Sequence, residues 1–218
     1  MRSRAIEEHK KSLKLSDEQR EVLFGILLGD ACLESQNGGR TYRVKVEQSA
    51  KHEAYVRHLH TLFGPWVLSP PREKECKASN GTVTRSWTFN TVSHPAFRFY
   101  AHQFYADGKK KVPRLIHRWL TRRGLAYWFM DDGSMKSRQS KGVIFNTHGF
   151  TRPDVERLVS VLQDLFSLQA SPRMQSDGWQ IFVSGASYEA FLPQVQPFII
   201  AEMQYKLPPI RRTRLPKE

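Results

Sequence analysis

Leu23-Phe24-Gly25-Ile26-Leu27-Leu28-Gly29-Asp30-Ala31 and Leu125-Ala126-Tyr127-Trp128-Phe129-Met130-Asp131-Asp132-Gly133 decide how this chain folds. Each is a nearly unbroken apolar run ending on a carboxylate, well short of the ~20 residues a membrane span needs. A helix that is apolar all round must be buried in protein. An aspartate at the end of such a helix is costly to bury unless its charge is compensated. Packing the two helices together brings Asp30 and Asp132 close at one end, where two carboxylates repel unless a divalent cation sits between them. One such helix alone would read as a core helix with ordinary terminal hydrogen bonds, but the repetition favours a hard-metal site. Gly25 and Gly29 lie four apart on one stripe, as close approach of a second backbone requires. Tyr127 and Asp131 hold the matching positions, so the expected pairing is small against large.

A formal charge of +13 and a pI near 10.0 point to a polyanionic partner. Charge alone would also suit a membrane surface or an acidic protein, but no amphipathic basic helix stands out. The N-terminus, Met1-Arg2-Ser3-Arg4 followed by Glu7-Glu8, lacks the apolar centre of a secretory signal. Cys32 and Cys76 form no metal or redox spacing, which suits a reduced intracellular setting, an organelle or a bacterial cytoplasm. No phosphate-cradling glycine loop and no Gly-x-Ser-x-Gly elbow competes with the two aspartates.

Along the chain, residues 1–14 read as a charged tail or short helix, and Ser16 to Gln19 as a capping box opening the first apolar helix. Thr41 to Glu47 alternates as a half-buried strand, with Tyr42, Val44 and Val46 inward and Arg43, Lys45 and Glu47 outward. Lys51 to Phe63 is an amphipathic helix. Asn80-Gly81 marks a hairpin between Arg72 to Ala78 and Thr82 to Phe89, in which Arg85 interrupts the apolar face without an evident reason. Ser93 is expected to cap a helix that Gly108 ends. Lys109-Lys110-Lys111-Val112-Pro113 reads as a connector, followed by a short helix from Leu115 to Leu120. The pattern then restarts: strand Val143 to Asn146, helix Thr151 to Phe166, a hairpin around Asp177-Gly178, and a closing helix bent or divided at Pro193 and Pro197. The order helix, strand, helix, hairpin, helix occurs twice, with Asp30 and Asp132 about 100 residues apart, so the chain carries an internal duplication. The expected division is 1–14, 15–113, 114–210 and a basic tail at 211–218.

Both stretches resemble the nine-residue signature of the LAGLIDADG homing endonucleases, with Asp30 and Asp132 at its eighth position. Leu28 and Met130 replace the acidic sixth residue, and Ala31 replaces the last glycine. Trp66-Val67-Leu68-Ser69-Pro70-Pro71 and Tyr205-Lys206-Leu207-Pro208 resemble the double-motif subgroup typified by the omega-intron endonuclease of yeast mitochondria, over roughly residues 16–210. The resemblance implies an α+β fold of two pseudo-symmetric αββαββα halves, with the motif helices packed at the centre and antiparallel sheets forming a DNA-binding saddle. It implies a monomer that makes a metal-dependent double-strand break at a long asymmetric DNA site. Mg2+ is the expected cofactor, Mn2+ is expected to substitute, and Ca2+ to bind without supporting cleavage. Asp30 and Asp132 would hold the metal, helped by the carbonyls of Gly29 and Asp131. Lys110 and Lys206 would be the active-site lysines, although aligning the two halves pairs Lys111 with Lys206. Expected DNA-facing residues are Arg43, Lys45, Glu47, Arg72, Lys74, Thr84 and Thr88 in the first half, and Arg173, Gln175 and Gln180 in the second. The rivals are a maturase acting on intron RNA and a DNA-binding regulator that no longer cuts.

Overall fold

The computed structural model describes residues 2–77 and 81–209. Helix α1 (Arg2–Ser12) is followed by the first motif helix, α2 (Asp17–Leu28). Ser16 caps α2 through the full capping box with Gln19. Strands β1 (Cys32–Ser35) and β2 (Tyr42–Ser49), helix α3 (Glu53–Leu62), strands β3 (Arg72–Lys77) and β4 (Val83–Asn90), and helix α4 (Arg98–Phe104) complete the first half. A two-stranded hairpin, β5 (Tyr105–Ala106) and β6 (Lys109–Lys110), precedes the second motif helix, α5 (Arg122–Asp132). The second half continues with β7 (Gly133–Met135), β8 (Val143–Asn146), α6 (Arg152–Phe166), β9 (Ala170–Gln175), β10 (Gly178–Val183) and α7 (Tyr188–Val195). From α2 and from α5 alike, the order is αββαββα. Two four-stranded antiparallel sheets result, ordered β1-β2-β4-β3 and β7-β8-β10-β9.

The motif helices are the core of the molecule. Val22 to Leu28 and Leu125 to Met130 are buried, with Leu23, Ile26, Leu27, Trp128 and Phe129 fully so. The helices meet through glycine. A Cβ on Gly25 would stand 2.3 Å from the carbonyl oxygen of Gly124 and 3.0 Å from the Cβ of Tyr127. A Cβ on Gly29 would stand 2.4 Å from the Cβ of Asp131. The small-against-large pairing is therefore present, with Gly124 as a further small residue at the crossing.

In the first sheet, Val44, Val46 and Phe89 pack inward while Arg43, Lys45 and Glu47 face outward. Arg85 is explained by exposure. The outer part of the β3–β4 hairpin is exposed on both faces, and Arg85 there pairs across the strands with Glu75 at 3.4 Å.

The fold differs from the residue reading in several places. Strands β1 and β7 were not expected from the residues, because each is very short and directly follows a motif helix. Of the two readings of residues 1–14, tail or short helix, the helix is the one observed, and it is docked, with His9 Nε2 2.8 Å from the carbonyl of Pro65. Ser93 is not a helix cap, since its hydroxyl lies 2.7 Å from that of Thr41; His94 accepts from the Ala96 N–H and caps the turn instead. Gly108 does not end a helix. α4 stops at Phe104, and Asp107 (φ 50°) and Gly108 (φ 74°) form the tight turn of the β5–β6 hairpin. The expected helix at Leu115 to Leu120 is a 3-10 turn, Ile116–Arg118. α7 passes through Pro193 and gives way to a 3-10 turn at Pro197. Asn80 and the tail at 211–218 lie outside the described residues.

Candidate active site

Both motif helices end at the same edge of the core, and each end is held by a lysine. The Nζ of Lys110 donates to the carbonyls of Gly29 (2.6 Å) and Ala31 (2.9 Å). The Nζ of Lys206 donates to the carbonyls of Met130 and Asp131, the latter at 2.8 Å. Carbonyls at a helix C-terminus lack partners within the helix and carry the negative end of its dipole, so an ammonium group suits them. Lys110 reaches its place because the Asp107-Gly108 turn folds β6 back along β5. Lys206 is carried by a 3-10 turn, Ala201–Lys206, and is buried. The two lysines thus hold equivalent positions, and Lys110, rather than Lys111, is the counterpart of Lys206.

The carboxylates are not equivalent. Asp30 is exposed, because α2 ends at Leu28 and the chain turns outward at Gly29. This corrects the expectation of two buried aspartates. Asp132 is recessed, and its Oδ2 accepts a 3.3 Å hydrogen bond from the indole of Trp128. Burial, and then the charge of Asp30, raise its pKa to about 7, while Lys110 and Lys206 pull the other way. The side chain of Asp131 turns inward beneath both. Its Oδ2 accepts from the Asp30 N–H at 3.1 Å and its Oδ1 from Gln48 Nε2 at 3.0 Å. Burial and the charges of Asp30 and Asp132 push its pKa well up. The space for it exists because Gly29 has no side chain.

Gln48 is the residue that the sequence reading passed over. It is buried at the end of β2, and its Nε2 donates to both Asp30 Oδ2 (2.8 Å) and Asp131 Oδ1 (3.0 Å). Its Oε1 lies 3.3 Å from His52 Nδ1, and His52 Nε2 lies 3.0 Å from the hydroxyl of Tyr205. A signal was available. Extending the alternation Tyr42, Val44, Val46 by one step puts Gln48 on the inward face, where a polar side chain needs a partner.

The lysines also bear on the expected metal ligands. The carbonyls of Gly29 and Asp131 already accept from ammonium groups, which are poor neighbours for a cation. Among the described residues, no group of three or more His, Cys, Asp or Glu side chains is arranged to hold a metal ion. The donor set is nevertheless all oxygen. Two carboxylates supplemented by substrate phosphate oxygens suit Mg2+, which usually takes few protein ligands. The raised pKa of Asp132 marks negative charge that a cation would relieve.

The sheets flank this centre. On the first, Glu47 is held by Lys45 (2.8 Å), Lys74 (3.1 Å) and the Ser86 hydroxyl (2.8 Å), and its pKa is lowered to about 2, chiefly by Lys45. Arg43 pairs with Glu34 at 2.7 Å. Arg72 and Thr84 are exposed on the same face, set by the pairing of β3 with β4. Thr88 is a correction. It lies on that face but is buried, and its hydroxyl hydrogen is used by the Val46 carbonyl at 2.7 Å, so the side chain is closed to a ligand by its neighbours. On the second sheet, Arg173, Gln175 and Gln180 share the outer face, with Gln180 bonded to Asn146 at 2.8 Å.

The sequence matches the LAGLIDADG DNA endonuclease family over residues 20–191. This chain belongs to that family. It is 34% identical over 211 residues to the probable intron-encoded endonuclease 1 of Wickerhamomyces canadensis, covering 94% of this chain and 90% of that one. It is 28% identical over 198 residues to the cytochrome b mRNA maturase bI2 of Debaryomyces hansenii, covering 88% of this chain and 74% of that one. Its fold superposes on the homing endonuclease I-WcaI bound to its DNA recognition sequence with a TM-score of 0.88 and 32% identity, over 94% of this chain and 93% of that one. The LAGLIDADG motifs are therefore α2 and α5, as the repeat implied. No helix among the described residues is long and apolar enough to cross a membrane.

Proposed function

We propose that this chain is a monomeric homing endonuclease that makes a metal-dependent double-strand break at a long, asymmetric DNA site. The observation that carries this reading is the paired helix terminus: Asp30 and Asp132 at one edge, a lysine at each helix end, and a basic sheet on either side. Two such ends in one chain supply a carboxylate and a lysine for each DNA strand around a shared centre, and two unlike sheets suit a target without palindromic symmetry.

Asp30 and Asp132 would hold the divalent ion. Held there, a divalent ion would supply water activation and would offset charge on the scissile phosphate and the departing oxygen. The chain's own groups do the rest. Gln48 fixes the orientation of the Asp30 carboxylate. Lys110 and Lys206 keep positive charge beside the carboxylates, where it can stabilise charge building on a phosphate oxygen. Burial lowers the pKa of both lysines, against the pull of the aspartates, so either can pass a proton more readily than a solvated lysine. The Lys45–Glu47–Lys74 cluster and Arg43 hold their charged groups in set positions on the DNA-facing surface, which favours contact without further ordering.

The test is a duplex selected from a randomised library by binding in Ca2+. Cleavage on transfer to Mg2+ or Mn2+, and none in Ca2+, is expected. A selected duplex that stays whole in every metal would leave a DNA-binding regulator. The likeness to a cytochrome b mRNA maturase supports a second reading, in which the same scaffold assists intron splicing. Failure to select any duplex, together with binding to structured intron RNA, would favour it.

A further inference from the structure

The outer faces of the two sheets are chemically unlike. On the first, Glu34, Arg43, Lys45, Glu47 and Lys74 make it a field of ion pairs. On the second, the cross-strand pair Phe182 and Ile144 occupies that face, since their neighbours Ile181, Val183, Val143 and Phe145 fill the inner one. Both are partly exposed. Neither is needed to close the core, and an apolar pair on a basic saddle requires an account.

Phe182 is also held in place. The guanidinium of Arg173 stands 3.6 Å from its ring centroid and the ammonium of Lys136 5.2 Å from it. The backbone of Gly142 lies close enough that a Cβ there would meet Cε2 of the ring at 2.9 Å. A ring fixed by two cations and a bare stretch of backbone is a rigid apolar feature in a positive field. The flanking cations favour a polyanion as the occupant. Among the groups a DNA groove displays, the apolar one is the C5-methyl of thymine. Arg173 thereby places its charge over the ring, on the face where a base or phosphate would lie.

We propose that Phe182, with Ile144 beside it, reads a pyrimidine C5-methyl group in the half-site that the second sheet covers. The first half discriminates by charge and hydrogen bonding, whereas the second discriminates in part by apolar contact. This rests on the DNA-binding reading above.

The test uses the full chain and its selected duplex in Ca2+, with each thymine replaced singly by deoxyuridine, which removes only the methyl group. At one thymine or more, the wild-type protein should lose about fourfold in affinity, the effect of one lost methyl contact. Phe182→Ala should be insensitive to the methyl there, whereas Phe182→Leu, which keeps apolar surface, should remain sensitive. Methyl sensitivity absent everywhere, or unchanged in Phe182→Ala, would overturn the proposal while leaving the endonuclease reading intact. Failure to select any duplex would overturn both, and the two failures are distinguished at the selection step.

Discussion

Gly25→Ala measures how tightly the two halves are joined. The added Cβ would lie 2.3 Å from the Gly124 carbonyl oxygen, against about 3.3 Å for an ordinary C···O contact. The obstacle is backbone on a buried helix, so no side chain can swing away, and α2 and α5 must separate by roughly 1 Å. A gap of that size forfeits up to about half of each dispersion contact across it. Overpacking costs about 1–3 kcal/mol and occasionally more, and alanine's better helix propensity returns about 1 kcal/mol. With backbone as the obstacle, a net loss of about 2 kcal/mol is expected, or about 4–8 °C in melting temperature for a chain of this size. A 1 Å displacement of Asp30 relative to Asp132 should also lower cleavage by about 10²-fold. Urea and thermal unfolding are the assays, with Gly64→Ala as control, because a Cβ there meets nothing within 4 Å. If Gly25→Ala were as stable as wild type, the two backbones would not be in contact there and the glycine stripe would have another explanation.

Further predictions concern single groups. Lys110→Met and Lys206→Met should each slow cleavage by about 10²-fold or more, while Lys111→Met should not; equal loss in Lys111→Met would undo the assignment made from the helix-end hydrogen bonds. Thr88→Val should cost about 1 kcal/mol of stability, because the Val46 carbonyl loses its donor, yet leave DNA affinity unchanged; Lys74→Ala should do the reverse. In the metal-free protein, the raised pKa of Asp132 means the folded state binds its proton more tightly than the unfolded chain does. Stability from this group is therefore full below about pH 4 and is lost as pH rises towards 7. Asp132→Asn should flatten that part of the melting profile. Glu47 acts oppositely, adding stability that is present above its ordinary pKa of 4.5 and lost as pH falls towards 2.

How much of this was legible in the residues depends on what each element answers to. The motif helices were readable because an apolar run ending on a carboxylate, used twice, has few physical solutions. The capping box, the β2 alternation and the second hairpin depend on local chemistry and came through for that reason. β1 and β7 did not, since three or four residues give no period to read; only the family resemblance supplied them. The β5–β6 hairpin was mistaken for a connector because Asp107-Gly108 was read as a helix end rather than as a turn. That error hid how Lys110 is aimed at the carbonyls that end α2. Thr88 was misjudged for a different reason: a strand's outward face is not open where long neighbours cover it. Gln48 was missed by ending β2 at Glu47, two residues short of its end.

Asp30 and Asp132 together are assigned here as the hydrolytic carboxylates of a DNA endonuclease. Wild type, Asp30→Asn and Asp132→Asn are to be compared on the selected duplex, scoring cleavage in Mg2+ and affinity in Ca2+ side by side. Loss of cutting in both variants, with affinity kept within a few-fold because the basic sheets are untouched, is the predicted result. Cutting at the wild-type rate by both variants would contradict it.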